Sequence, residues 1–155
     1  MTAAKLGTTT PTANWTAGLA YHKDLADGSV LALGTGQRTI WEHSVELDPT
    51  GRFAFYSTAA PALAGDTNGH TDVYRRDLDG GVVGPLVLVT GNAAGAHTGG
   101  PTGSVAATEY ARVFAVTGDD VLVTTSQALT PVDANKQRDL YRKDLADGSF
   151  RTPLA

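Results

Sequence analysis

Two segments of this 155-residue chain space oxygen-bearing side chains in the same way: Asp66, Asn68 and Asp72, and again Asp133, Asn135 and Asp139. Calcium takes six to eight oxygen ligands, and loops supply them as carboxylates, amides and backbone carbonyls. An Asp-x-Asn step lets consecutive side chains converge on one side of a tight loop, and the Asp that opens the following strand can close the site. These six residues are the candidate calcium ligands. A site of this kind binds in the roughly 0.1–1 mM range of extracellular modules. The same residue types also shape loops with no metal, because Asp and Asn accept hydrogen bonds from their own backbone two residues on. Each segment offers three side-chain ligands and lacks the further acidic positions of an EF-hand, so a structural loop is the first reading and calcium the second. The aligned positions near the N-terminus are Ala13, Trp15 and Leu19, which cannot ligate in this way.

Other chemistry is sparse. His22 and His43 fall in strand-like stretches and His70 and His97 in loops, with no His-x-His or His-x-x-x-His spacing. His97 sits in the irregular segment 91–103, rich in Gly and Ala, which reads as a connecting excursion first and a binding lid second. Ser57 and Ser126 fall close together when the repeats are aligned and look structural. There is no Gly-x-Ser-x-Gly elbow, and Gly34-Thr-Gly36 lacks the third glycine and following helix of a phosphate loop. Glu42, Glu46 and Glu109 would serve glycosidic chemistry only if the fold brought a pair of carboxylates together. No catalytic residue is assigned, and calcium is the one cofactor the sequence suggests. Absence of Cys excludes disulfides, zinc thiolate sites and cysteine nucleophiles.

These residues must be positioned by a repeated unit. The phrase Tyr21-His-Lys-Asp-Leu-Ala-Asp-Gly-Ser-Val returns as Tyr74-Arg-Arg-Asp-Leu-Asp-Gly-Gly-Val-Val and Tyr141-Arg-Lys-Asp-Leu-Ala-Asp-Gly-Ser-Phe. Each copy reads as a strand, a tight Asp-Gly turn and a second strand, and such repeats signal an array of one supersecondary unit. Asp24, Asp77 and Asp144 stand where a strand enters its turn, suited to accept backbone N–H bonds there. Tyr21, Tyr74 and Tyr141 read as packing aromatics whose phenol reaches a partner near the sheet surface. A shift of 67 residues lays Ser57 on Thr124, Asp66 on Asp133, Asn68 on Asn135 and Asp72 on Asp139. The spacing predicts strands over 45–48, 52–58, 72–78 and 82–90 in one unit, and over 112–116, 120–125, 139–145 and 149–154 in the next. No stretch carries a helix-length apolar stripe, so the chain is expected to be all-β.

The run Leu47-Asp-Pro-Thr-Gly-Arg-Phe-Ala-Phe-Tyr-Ser resembles the "spdGryvaFsS" signature of TolB-type, WD40-like β-propeller repeats. The run from Gly65 to Leu78 is similar to the segment that forms the third blade strand in secreted actinobacterial members. The resemblance covers residues 44–90 and 111–155, and 11–34 in part; the third unit departs from it at Val116-Thr-Gly-Asp-Asp. It implies blades of four antiparallel strands, about two and a half per chain: a half blade over 11–34, a blade over 38–90 and a blade over 104–155, within one domain spanning 1–155. Such an array needs completing by a second copy, another chain or further sequence. A homodimeric six-blade ring, with residues 1–10 supplying part of a missing strand, is the expected arrangement. The resemblance also implies an extracytoplasmic setting, although the N-terminus lacks an apolar signal segment.

Composition fits that expectation. With 41% apolar residues and 18 Gly, the chain can build one core with many turns. Its net charge of −4 argues against nucleic acid or an anionic membrane as partner, and no run reaches membrane-spanning length. The expected role is a non-catalytic binding or scaffolding module for a protein, peptide or glycan, with a calcium-stabilised structural module and a propeller hydrolase as alternatives.

Overall fold

A computed structural model of the chain describes residues 21–26, 28–33, 45–58, 62–68, 70–78, 84–91, 111–135 and 137–151. Ala13, Trp15, Leu19, the Gly34-Thr-Gly36 step, Glu42, His43, His97 and Glu109 lie outside the described residues, as do 1–10, most of segment 91–103 and the ends of the expected strands at 82–83 and 152–154. The described residues form ten strands and no helix: β1 Tyr21–Lys23, β2 Val30–Ala32, β3 Val45–Leu47, β4 Phe53–Thr58, β5 Asp72–Asp77, β6 Leu86–Leu88, β7 Arg112–Thr117, β8 Asp120–Thr125, β9 Asp139–Asp144 and β10 Phe150–Arg151. β1 and β2 pair alone, while β3-β4-β5-β6 and β7-β8-β9-β10 make two four-stranded sheets in chain order. Every pairing is antiparallel. No helix among the described residues is long and apolar enough to cross a membrane.

The turns explain the repeated phrase. Asp24 accepts the Ala26 N–H on Oδ1 at 2.7 Å, and its carbonyl accepts the Gly28 N–H at 3.0 Å. Asp144 repeats both contacts with Ala146 at 2.8 Å and Gly148 at 2.9 Å. Gly28 and Gly148 close these turns at φ of 75° and 73°, a left-handed conformation that only Gly adopts without strain. The middle hairpin differs. There the Asp77 carbonyl is met by the N–H of Gly84, at 3.1 Å, so the turn is three residues longer. Pro85 then lacks a donor, and β6 is confined to Leu86–Leu88 rather than beginning at 82. The Asp77 carboxylate also pairs with Arg52, 3.0 Å away.

Register sorts each sheet into two faces. Tyr74 stands opposite Tyr56 and Leu88, and Arg76 opposite Ala54 and Leu86, so these residues share the front face of the second unit. Phe55 and Val73 belong to its back face. In the third unit, Val121, Val123, Tyr141 and Lys143 share the front, while Leu122, Thr124, Leu140 and Arg142 share the back. Phe55, Val73 and Val89 pack with Ala111, Val113, Val121 and Val123, which joins the back of the second sheet to the front of the third. Leu33, following β2, packs with Ala54, Tyr56, Tyr74 and Leu88 on the front of the second sheet. The second sheet is therefore covered on both faces. That is why all five residues from Ala54 to Thr58 are buried, where a half-exposed strand would alternate. β8, in the third sheet, does alternate.

Candidate functional site

The two Asp-x-Asn segments fold into loops that return to the tyrosine of the same unit. In the second unit, the Asp66 N–H reaches the Leu63 carbonyl at 3.0 Å, which curls the chain so that the Asp66 carboxylate accepts the Tyr74 hydroxyl proton. The Ala62 N–H donates to the same phenol oxygen at 3.2 Å. In the third unit, Asp133 N–H reaches Thr130 at 3.1 Å, and Asp133 accepts the hydroxyl of Tyr141. Burial, followed by the adjoining carboxylate, pushes both phenols well above the ordinary tyrosine range. A protonated phenol and an ionised carboxylate make a charge-assisted bond, stronger than one between neutral groups.

The remaining expected ligands are engaged in the protein's own hydrogen bonds. Asn68 Oδ1 accepts the His70 N–H at 2.8 Å, and Asn135 Oδ1 accepts the Gln137 N–H at 2.7 Å. Both are the Asx turns that the residue types favour. Asp72 is fully buried and accepts the Thr90 hydroxyl, whereas Asp139 is half-buried with Asn135 Nδ2 at 3.4 Å. The two aspartates of each segment thus lie near one tyrosine, while the asparagine shapes the loop between them. Among the described residues, no group of three or more His, Cys, Asp or Glu is arranged to hold a metal ion. Ser57 and Ser126 are buried, Glu46 is exposed on β3, and His22 and His70 are half-buried in separate units.

A second set of contacts, not anticipated from the sequence, ties one unit to the next. Lys143 is buried on the front of the third sheet. Its ammonium donates to the Val89 carbonyl, at 2.6 Å, and to that of Gly91, while lying 4.5 Å from the Phe150 ring centroid. Arg76 occupies the equivalent position one unit earlier and does the same work. Its guanidinium donates to the Leu33 carbonyl at 3.5 Å and to the Gly84 carbonyl at 3.2 Å. Leu33 and Val89 each follow the last strand of their unit, so a cation two residues after the repeat tyrosine clamps the end of the preceding unit. Burial, with help from the nearby Arg75 charge, pulls the Lys143 pKa down to about 8. Gln127 adds a further tie, donating to the Thr71 carbonyl at 3.3 Å. The signal was present in the sequence: Lys23, Arg76 and Lys143 all stand two places after a repeat tyrosine.

Comparison with protein-family models, with curated proteins and with solved structures found no match to this chain.

Proposed function

We propose that the chain is a non-catalytic binding or scaffolding module of β-propeller type, its four-stranded sheets serving as blades, with a protein, peptide or glycan engaged at a loop rim or channel. One observation carries this reading: the back of the second sheet packs on the front of the third, and the same cation-to-carbonyl clamp is made twice, by Arg76 to Leu33 and by Lys143 to Val89. Short meander sheets stacked by one repeated contact are how a radial array is assembled. Such a scaffold is rigid where its sheets stack, and rigid scaffolds carry recognition on their loops. Asp66 and Asp133 are engaged by tyrosines and Asn68 and Asn135 by backbone, which supports a structural use of those loops over a catalytic one.

The reading is tested by binding of the folded protein to mixed glycan and peptide arrays, with the captured ligand recovered and weighed. Saturable capture of an intact ligand is the expected result. A ligand returned cleaved, or no saturable capture at all, would overturn it.

A further inference from the structure

Three exposed arginines are matched to acids of the chain: Arg52 to Asp77, Arg142 to Asp120 and Arg151 to Asp144. Arg75 is set deeper than any of them, half-buried, and is matched to none among the described residues. Its guanidinium lies instead 4.7 Å from the centroid of the Phe53 ring. Register shows why no acid is at hand. On the back of the second sheet, Arg75 stands opposite Phe55 on β4 and Val87 on β6, with Asp77 two residues along β5. Asp77 is held by Arg52, whose own guanidinium lies 4.9 Å from the same Phe53 ring. Across the junction, the front of the third sheet presents Val121, Tyr141 and Lys143. The Lys143 ammonium is near enough to feel the like charge of Arg75. A half-buried cation facing a second, buried cation is unfavourable until an anion neutralises it. Val87, beside Arg75, is 36% exposed, so solutes reach this side of the junction.

We propose that Arg75 binds an oxyanion at the junction between the second and third sheets, with its guanidinium held by Phe53 and the Lys143 ammonium adding positive charge behind it. Stacking on a ring occupies the face of a guanidinium and leaves its N–H edge free. That edge matches two oxygens of a carboxylate, sulfate or phosphate. Lys143 donates to the Val89 and Gly91 carbonyls, so it contributes charge to the site rather than a bond. The site stands whether or not the sheets are blades of a propeller, because it needs only the one junction present within the chain.

The test is a nuclear magnetic resonance titration of the full chain with sodium sulfate, at ionic strength held constant with sodium chloride. The signals followed are the Arg75 side-chain Nε–H and the backbone amides of Phe53 and Val87. A saturable shift of all three is expected. Arg75→Gln should abolish the saturable response of the two amides. Arg75→Lys, which keeps the charge and loses the planar fork, should weaken it, and serves in place of the glutamine variant if that one fails to fold. Arg151→Gln, at an exposed arginine away from Phe53, should leave it unchanged. A sulfated disaccharide titrated in the same way separates two sources of the anion. Tighter binding than sulfate places the anion on a glycan, and equal or weaker binding points to a free ion; either supports the site if Arg75→Gln removes it. Absence of a saturable shift with both probes, or equal weakening by Arg75→Gln and Arg151→Gln, overturns the proposal.

Discussion

The second and third units are built from one plan, and they differ in how deeply its polar groups are buried. Both place an aspartate under the hydroxyl of the repeat tyrosine, and both turn through an Asx bend. In the second unit, Asp66 is 6% exposed and Asp72 0%, and Gln127 of the following unit donates to the Thr71 carbonyl next to Asp72. In the third, Asp133 and Asp139 are half-buried and Asn135 is exposed. The hydrogen-bond scheme is thus written locally, by spacing, while its energetic weight is set by burial. A buried polar pair costs more to break than an accessible one, because water can replace the lost partner only where it can reach.

That contrast is most directly broken by substitution. Asp66→Ala is expected to lower unfolding free energy by about 2–3 kcal/mol, since it strands a buried phenol. Asp133→Ala should cost about 1 kcal/mol, within the range of an ordinary hydrogen bond. Denaturant unfolding measures both, and equal losses would show that the difference in burial contributes nothing.

A second expectation sharpens the comparison at the junction itself. The unfolded chain holds the Lys143 proton up to the ordinary value of 10.5, and the folded chain releases it near 8. Between those values the unfolded state binds more protons, so raising the pH favours the fold. The melting temperature of the unaltered protein, less that of Lys143→Met, should therefore climb by a few degrees from about pH 8 to 10.5. A flat difference would mean that Lys143 is hydrated and that the clamp is open in solution.

The smallest effect concerns calcium. At about tenfold excess over its dissociation constant, one bound ion adds about 1.4 kcal/mol, a shift of a few degrees for a domain of this size. With the Asp66 and Asp133 carboxylates held by tyrosines and the Asn68 and Asn135 carbonyls by backbone, no shift of that size is expected. A calcium-dependent rise that vanishes in Asp133→Ala would mean that the more open loop rearranges around the ion.

Much of this fold is legible in the chain. The Tyr-x-x-Asp-Leu phrase and its Asp-Gly turn gave the hairpins, because turn glycines and entry aspartates act through bonds a few residues long. The loop asparagines could be read as Asx turns for the same reason. The start of β6 was misread because the middle copy carries a longer turn, and nothing in Asp79-Gly80-Gly81 says that closure waits for Gly84. The clamp cations were visible as residues but not as contacts. Arg76 meets a carbonyl 43 positions away and Lys143 one 54 away, distances over which spacing alone carries no geometric information. Nor did the burial of β4 on both faces announce itself, since Ala54, Tyr56 and Thr58 suit an exposed face as readily as a covered one.

The bulge in β7 has a consequence for how the protein avoids indiscriminate aggregation. Register shifts between Val113 and Ala115, leaving Phe114 67% exposed. Among the described residues, the other edges of the two larger sheets are strands of three residues, β3 and β6, and of two, β10. Short edges offer too few free N–H and C=O groups to template a foreign strand, and a bulge spoils the one edge that is long enough. With its edges blunted in this way, the molecule is left to meet other chains through side chains on its faces and loops, where recognition can be selective.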